Sequence, residues 1–534
     1  MSPFLLFCFA VLPILDASQT LQKVRLRPRE TGERTFTDED NREMFFHGVN
    51  AVVKGPPWIP VHDEFSTDLS LADRDFKIMK ELGLNVLRLG TMWPGIEPVR
   101  GQYNETYLSV LKSISEKAAA YGIYTILDMH QDILSEKFCG EGIPEWAVKS
   151  DGGFHLFGSF PAPLAKPFNR TDARGFPVRQ DCAKHQDWSS FSVAEDYTAA
   201  CQALWKNVDG IGDAWAQMWG RVASIFKGSE HILGVELMNE PFAGDFYHNP
   251  LIMVPYPFPR NADKINMQPV YDKLNTAIRA EDAERLVFFA GVTWDDFGVG
   301  FDHPPGGTDF ADRSVVAYHY YVPPQMNAPH DAFQFKQQQK AARRLRTGSM
   351  LTETCFSTND HSAALCGQLF TEPGGIADRA DAALQSWVAW EWKSFCRETA
   401  ETLAGESQWA AWGACKTGYG PAWNATTQEP PDLAGYARTY ARAVAGNTTS
   451  MFFNVTDKAF KLVFKIDTHA QSPTEIFVSS EHHYPKGLQV FVSPPTAATA
   501  SYDQAQNSNK VLVRHNSDAT YGQEVTVKII KSFV

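Results

Sequence analysis

The sequence is short of positive charge. Lys and Arg number 49 against 62 Asp and Glu, a formal net charge of −13. A protein that holds nucleic acid needs a basic surface to neutralise phosphates, so nucleic acid is excluded as the main partner. The same deficit argues against electrostatic capture by an anionic membrane. Beyond the N-terminal segment no apolar run reaches the roughly 18 residues that a spanning helix needs. The spacing C-x-x-C is missing, which removes the usual mark of a structural zinc site. Gly-rich phosphate turns are also missing after the strand-like runs, so a doubly wound nucleotide-binding fold lacks its main support. Neither an internal repeat nor a low-complexity tract is found. No metal and no cofactor is expected.

What is present reads as globular. Hydrophobic residues make up 44% and charged residues 21%, ordinary for a folded chain. A length of 534 residues allows a large core and more than one domain. Aromatics are plentiful, with 36 Phe and 14 Trp, which suits either a large core or a site that stacks on flat ligands.

Three features point to an oxidising compartment. An apolar stretch from Phe4 to Leu15 ends in Ala17 and Ser18, which predicts a cleaved signal peptide over residues 1–18 and a secreted or lumenal protein. Its n-region carries no Lys or Arg. The triplet Asn-x-Ser/Thr stands at Asn104, Asn169, Asn424, Asn447 and Asn454, acceptor sites for N-glycans. Eight Cys are present, and Cys8 would leave with the signal. Cys139, Cys182, Cys201, Cys355, Cys366, Cys396 and Cys415 remain, and their odd number leaves at least one unpaired within a monomer.

Short apolar runs alternate with helical stretches from residue 40 to 445. The runs are 44–49, 85–89, 124–129, 233–238, 286–290, 315–321, 350–352 and 387–392. Helical patterns cover 73–82, 108–121, 197–226 and 272–281. Near-continuous apolar strands between helices indicate a parallel sheet buried on both faces. Eight such units predict an α/β fold, a (β/α)8 TIM barrel, over residues 19–445. Residues 134–195 and 241–270 are long insertions, the kind that form lids or walls. After residue 445 short strands separated by polar turns predict a C-terminal β-sandwich domain over 446–534.

Chemistry in such a barrel sits at the C-terminal strand ends. There the sequence places Arg88 on the second strand, His130 and Asp132 after the third, Asn239 and Glu240 after the fourth, His319 and Tyr321 at the sixth, Glu353 at the seventh and Trp390 at the eighth. Polar groups at these positions are costly unless paired or used. Glu240 and Glu353 should face each other across the mouth. A glycosidase needs such a pair, one carboxyl to protonate the leaving oxygen and one to attack or to activate water. Arg88 can hold a carboxylate ionised through a bidentate pair, which suits the nucleophile. Asn239 can bond a sugar 2-OH, His319 and Tyr321 can orient the nucleophile, and Trp390 offers its face to a sugar ring. Taken singly, each of these residues more often has a structural role, Glu240 or Glu353 as a helix-cap neighbour and His130 or His319 as a hydrogen-bonded strand-end group.

This ordered set resembles glycoside hydrolase family 5. Asn239-Glu240-Pro241 and Glu353 match its strand-four and strand-seven carboxylates, and Arg88, His130, His319, Tyr321 and Trp390 match the rest of its pattern. The resemblance implies a retaining enzyme with Glu240 as acid/base and Glu353 as nucleophile. A narrower resemblance is to the endoglycoceramidases of that family. It rests on Phe46-His47-Gly48-Val49-Asn50 with Lys54, on 128–133 (DMHQDI), and on 237–242 (LMNEPF). It implies that Lys54 and Asp132 contact the first sugar, and that the substrate is a glycosphingolipid cut between glycan and ceramide. Another family 5 β-glycosidase on the same site, glucosylceramidase-like or an endoglucanase, is the alternative. The stretch Leu351-Thr352-Glu353-Thr354-Cys355 departs from relatives that have Gly before and Phe after the Glu. Trp390 and Trp392 both qualify as the stacking Trp. Residues 241–260, with Phe242, Phe246, Tyr247, Leu251, Ile252, Met253, Val254, Tyr256 and Phe258, and residues 154–167 offer an apolar rim. Such a rim would make transient contact with a membrane or micelle surface; the alternative is loops packing on themselves.

Overall fold

A computed structural model of the chain describes residues 21–532, except 150–155, 167, 183–187, 255–259, 294–296, 322–329, 356–371, 396–422, 431–432 and 504–507. Residues 1–18, Cys366, Cys396, Cys415, Phe154, Tyr256 and Phe258 lie outside the described residues.

Three short N-terminal strands come first: β1 (Arg25–Pro28), β2 (Arg34–Thr37) and β3 (Glu43–Met44). Eight strands then close a parallel barrel: β4 (His47–Ala51), β5 (Val86–Gly90), β6 (Tyr124–Asp128), β7 (Ile232–Glu236), β8 (Val287–Phe289), β9 (Ser314–Tyr320), β10 (Gly348–Thr354) and β11 (Trp387–Ala389). All five residues of β4, β5, β6 and β7 are buried, as their unbroken apolar runs require. Gly48 has a steric reason: a Cβ there would meet the Val86 carbonyl oxygen at 2.0 Å.

Helices cover the barrel with their apolar faces inward. Asp73–Leu82 turns Phe76, Met79 and Leu82 to the core and ends on Gly83 at φ 83°. The helical pattern over 197–226 is two helices, Glu195–Trp205 and Ile211–Ile225. Asn207, Asp209 and Gly210 break it, with φ of 55°, 53° and 71°.

β12 (Tyr440–Val444) leads into the sandwich, which adds β13 (Gly446–Phe453), β14 (Phe460–Ile466), β15 (Thr474–Phe477), β16 (Leu488–Ser493), β17 (Ala498–Tyr502), β18 (Lys510–His515) and β19 (Glu524–Lys531). One sheet runs β13-β14-β19-β16, the other β1-β2-β3-β12-β15-β18-β17. Phe453, Leu462, Phe464, Val525 and Val527 from the first meet Tyr440, Ile476, Phe477, Val511 and Val513 from the second.

The N-terminal strands, within the 19–445 span assigned to the barrel, pair into the sandwich: β3 bonds antiparallel to β12, and Thr448 N–H donates to the buried Glu43 carboxylate at 2.7 Å. Phe36 from this ribbon packs on Phe46 and Phe288 of the barrel floor, with ring centroids 5.3 and 6.3 Å away. Barrel and sandwich are further locked by buried Arg438, which donates to Asp378 at 2.6 Å and Asp381 at 2.9 Å.

Candidate active site

Arg88 points into the barrel from the middle of β5 and is fully buried. Its fork closes on Glu236, with Nε to Oε2 at 2.8 Å and Nη2 to Oε1 at 3.0 Å. Nη2 also donates to Asn239 Oδ1 at 2.9 Å and lies 2.9 Å from Asp128 Oδ1. Nη1 donates to Asn50 Oδ1 at 2.9 Å and to Glu353 Oε2 at 3.2 Å. The bidentate pair expected with the nucleophile candidate therefore belongs to Glu236, and Glu353 receives a single N–H. Arg88 and Glu236 come from strands that flank β6, and both side chains fill the barrel interior, where only a planar fork satisfies both. Burial alone would lower the Arg88 pKa, but Asp128, Glu236 and Glu353 raise it, so the cation is permanent.

Glu353, on β10, has its second oxygen bound as well. The Tyr321 hydroxyl donates to Oε1 at 2.7 Å. Glu353 thus sits between a fixed cation and a phenol, an arrangement that fixes where its oxygens point.

Glu240 has the opposite setting. It follows β7 at φ 38°, a left-handed backbone that costs a non-glycine residue about 1 kcal/mol. Gln131 holds that backbone by donating its Nε2 to the carbonyls of Asn239 and Glu240, both at 2.8 Å. Burial, and then the negative charge of Asp132, push the Glu240 carboxyl up to about 7. His319 Nδ1 lies 2.9 Å from Glu240 Oε1 and 3.9 Å from Glu353 Oε1. His319 therefore serves the acid/base candidate more closely than the nucleophile candidate it was expected to tune. One carboxylate oxygen of Glu240, one of Glu353 and one ring nitrogen of His319 lie within 4.8 Å of one another.

The other expected residues form one wall. Lys54 is ion-paired with Asp132 and sits 3.9 Å from Glu141. His130 Nδ1 donates to Asp128 Oδ2 at 2.8 Å, and its Nε2 is 3.4 Å from Asp132. Burial would lower the His130 pKa, but Asp128 and Asp132 lift it to about 10. Trp390 stacks on His130 with centroids 5.1 Å apart and carries the Lys54 ammonium 4.5 Å from its ring. Trp392 is fully buried, donates its Nε1 to Asp75 at 2.9 Å and packs edge-on to Trp423, so it belongs to the barrel wall. Asn239 is engaged on both sides, accepting from Arg88 and donating its Nδ2 to the Gln131 carbonyl at 2.9 Å. His130, Asp132 and Glu141 have metal-ligand spacing, but the Lys54 ammonium already takes the place of a cation there.

Several members of the site were not singled out from sequence: Asn50, Asp128, Glu141, Glu236 and Glu391. Asp128 and Glu236 are the last residues of fully buried apolar strands, and a charged group in that position is the signal that marks them. Glu391 is buried and its Oε2 has no hydrogen-bond partner among the described residues; burial raises its pKa well above the usual range. The loop after β6 is tied by the Cys139–Cys182 disulfide, and Asp132 pairs with Glu141 inside it. Cys355, beside Glu353, is also disulfide-bonded, and Cys201 is a buried free thiol.

The apolar rim is part buried and part exposed. Phe242 and Ile252 are buried, Phe246, Tyr247 and Met253 are half-buried, and Leu156, Phe157, Leu164, Leu251 and Val254 are exposed. Phe157 meets Tyr247 with centroids 5.5 Å apart, so the two insertions touch. A cavity of about 380 Å³ lies among Val193, Phe246, Tyr247, Pro250 and Met253.

Comparison with known proteins fits this geometry. The family model "Cellulase (glycosyl hydrolase family 5)" matches residues 59–395, and the "Glycoside hydrolase family 5 C-terminal domain" model matches 438–529. An endoglycoceramidase of Cyanea nozakii is 37% identical over 527 residues, 98% of this chain and 96% of that protein. One of Hydra vulgaris is 39% identical over 469 residues, 88% of this chain and 83% of that protein. Endo-glycoceramidase II from Rhodococcus sp. has the same fold. Solved as a ganglioside GM3 complex, it aligns with a TM-score of 0.65 at 20% identity, covering 95% of this chain and all of that one (100%). Solved as a lactosyl-enzyme intermediate, it aligns at 0.64 and 20%, covering 93% and 99%.

Proposed function

The chain belongs to the endoglycoceramidases of glycoside hydrolase family 5, and from that premise we infer that it hydrolyses glycosphingolipids between glycan and ceramide by double displacement. Glu353 attacks the anomeric carbon while Glu240 protonates the ceramide oxygen. A covalent glycosyl-enzyme forms and ceramide leaves. Glu240 then takes a proton from water, which attacks the anomeric carbon and frees Glu353.

One observation carries the assignment. The two carboxylates approach within 4.8 Å yet have opposed environments. Retaining enzymes hold the pair about 5–5.5 Å apart, whereas inverting ones need about 6.5–9.5 Å to admit water. Glu353, bonded by Arg88 and Tyr321, suits a nucleophile. Glu240, pushed up to about 7, holds its proton for the first step and loses it readily for the second. Lys54, Asp132 and Trp390 form the wall that receives the first sugar.

The ceramide leaves toward the segment that follows Glu240. There the cavity at Phe246, Tyr247 and Met253 accepts acyl or sphingoid carbon, and exposed Leu156, Phe157, Leu251 and Val254 touch the membrane or micelle surface. The enzyme works in a secreted or lumenal compartment, a reading supported by the Cys139–Cys182 disulfide and by Asn169, an exposed acceptor for N-glycans.

Mass spectrometry of products from an intact ganglioside, beside lactosylceramide, glucosylceramide and soluble cellulose, tests the whole reading. Whole glycan and whole ceramide released from the ganglioside are expected. Turnover of glucosylceramide alone, or of cellulose alone, would instead identify a simpler family 5 glycosidase.

A further inference from the structure

A small cavity of about 30 Å³ adjoins the acid/base candidate and is lined by Glu240, Gly291, Ala317, Tyr318, His319 and Gln338, among others. A water molecule needs about 10–15 Å³ of such space and two or more polar partners. His319 supplies one partner, because its Nε2 is buried and has no hydrogen bond among the described residues. Gln338 is 2% exposed and brings a side-chain amide to the same space. Both are held in register. Gln334, one turn earlier on the helix His330–Leu345, donates its Nε2 to the His319 carbonyl at 3.0 Å and docks that helix on β9.

A neutral imidazole carries one N–H. Burial lowers the His319 pKa, so the ring is neutral and must choose a tautomer. Its Nδ1 faces Glu240 Oε1 at 2.9 Å, and that contact is attractive to the Glu240 carboxylate only if the proton is on Nδ1. Nε2 must then accept a proton from a donor, and none of the described residues provides one. We propose that the cavity takes one ordered water, held by Gln338, which donates to His319 Nε2 and so fixes the Nδ1–H tautomer that donates to Glu240.

Gln338 is thus a positioning residue. It acts through His319 on the proton affinity of Glu240, resting on the acid/base reading above. The charged groups facing His319 and Glu240 are Glu353, Glu236, Asp128 and Asp132, with Arg88, His130 and Lys54. All remain when Gln338 changes. Without the water, Nε2 takes the proton and the Nδ1 lone pair faces Glu240, which favours its protonated form. The apparent pKa of Glu240 then rises.

The pH profile of kcat/KM reads this directly. For Gln338→Met the alkaline limb should move up by about 0.5 pH units or more, with KM within about twofold of the parent. Gln338→Asn, which keeps a neutral amide beside the cavity and adds no charge, should restore the profile. An unchanged limb in Gln338→Met, or equal shifts in both variants, overturns the proposal. A high-resolution crystal structure of the unaltered protein gives a check independent of variant folding: solvent density within hydrogen-bond distance of His319 Nε2 supports it, and its absence overturns it. Glu240→Gln separates the two readings. If that variant keeps full activity, the acid/base assignment fails and this proposal fails with it. If it is inactive while Gln338→Met leaves the profile unchanged, this proposal alone fails.

Discussion

The Tyr321 hydroxyl donates to Oε1 of Glu353 at 2.7 Å, while Arg88 Nη1 holds Oε2 of the same carboxylate at 3.2 Å. The two bonds fix the plane of the carboxylate, and the two donors differ in kind. Arg88 is committed to Glu236, Asn239, Asn50 and Asp128 as well, so its removal would collapse the hub. Tyr321 can be changed with less collateral loss.

Tyr321→Phe should lower kcat/KM by about 10- to 100-fold, the value of one hydrogen bond to a charged group. Folding should survive, since the ring remains. Steady-state kinetics beside a circular dichroism melt checks both halves. A kcat/KM within twofold of the parent would remove Tyr321 from the nucleophile's support.

The pH dependence follows from Glu240. Its carboxyl, at about 7 through burial and then Asp132, is protonated below that pH and ionised above it. Protonation is needed to release ceramide, so kcat/KM should fall as pH rises through about 7. Asp132→Asn removes a raising charge and frees the Lys54 cation, and both changes lower the Glu240 pKa. The alkaline limb should therefore move to lower pH, together with a higher KM from the altered sugar wall. A limb that stays in place, measured on a soluble aryl glycoside of the same glycan, would show that another group sets it.

Arg438 tests how the two domains are joined. It is buried, donates to Asp378 and Asp381, and stands just before β12. Arg438→Met should cost about 3–5 kcal/mol because it strands buried carboxylates. Urea unfolding followed by tryptophan fluorescence reads the loss. Asp381 is pulled down to about 2, burial being outweighed by Arg438 and His47. Its pKa is below the unfolded value, so its stabilisation is complete above the ordinary carboxylate range and is lost as pH falls toward about 2. The difference between parent and variant should shrink in acid for the same reason.

Much of this was legible in the sequence where one physical rule dominates. The eight barrel strands are buried on both faces, so they appear as unbroken apolar runs. Polar residues at their ends are costly, so Arg88, Glu240 and Glu353 stand out. Other features depended on partners far away in the chain. The strands Arg25–Pro28 and Arg34–Thr37 are too short and polar to signal a sheet, and they join one only because β3, next to them, pairs with β12 from the far end of the barrel sequence. Ala498–Tyr502 is built mostly of small residues and, as an edge strand, pairs with β18 alone. The choice of Glu236 as the partner of the Arg88 fork is a matter of side-chain geometry inside the barrel. So is the preference of His319 for Glu240 over Glu353. The break in the helical pattern at Asn207–Gly210 could have been anticipated, because Asn, Asp and Gly are the residues that adopt left-handed backbone most readily.

The central claim is that Glu353 becomes covalently glycosylated. A 2-deoxy-2-fluoro glycoside with a reactive leaving group forms that adduct quickly and hydrolyses it slowly, so the intermediate accumulates. After incubation, protease digestion and tandem mass spectrometry locate the added sugar mass. The account predicts one added glycosyl group per chain, carried by the Glu353 side chain, with loss of activity in step with labelling. Labelling of a different residue, or full turnover with no labelled peptide, would contradict it.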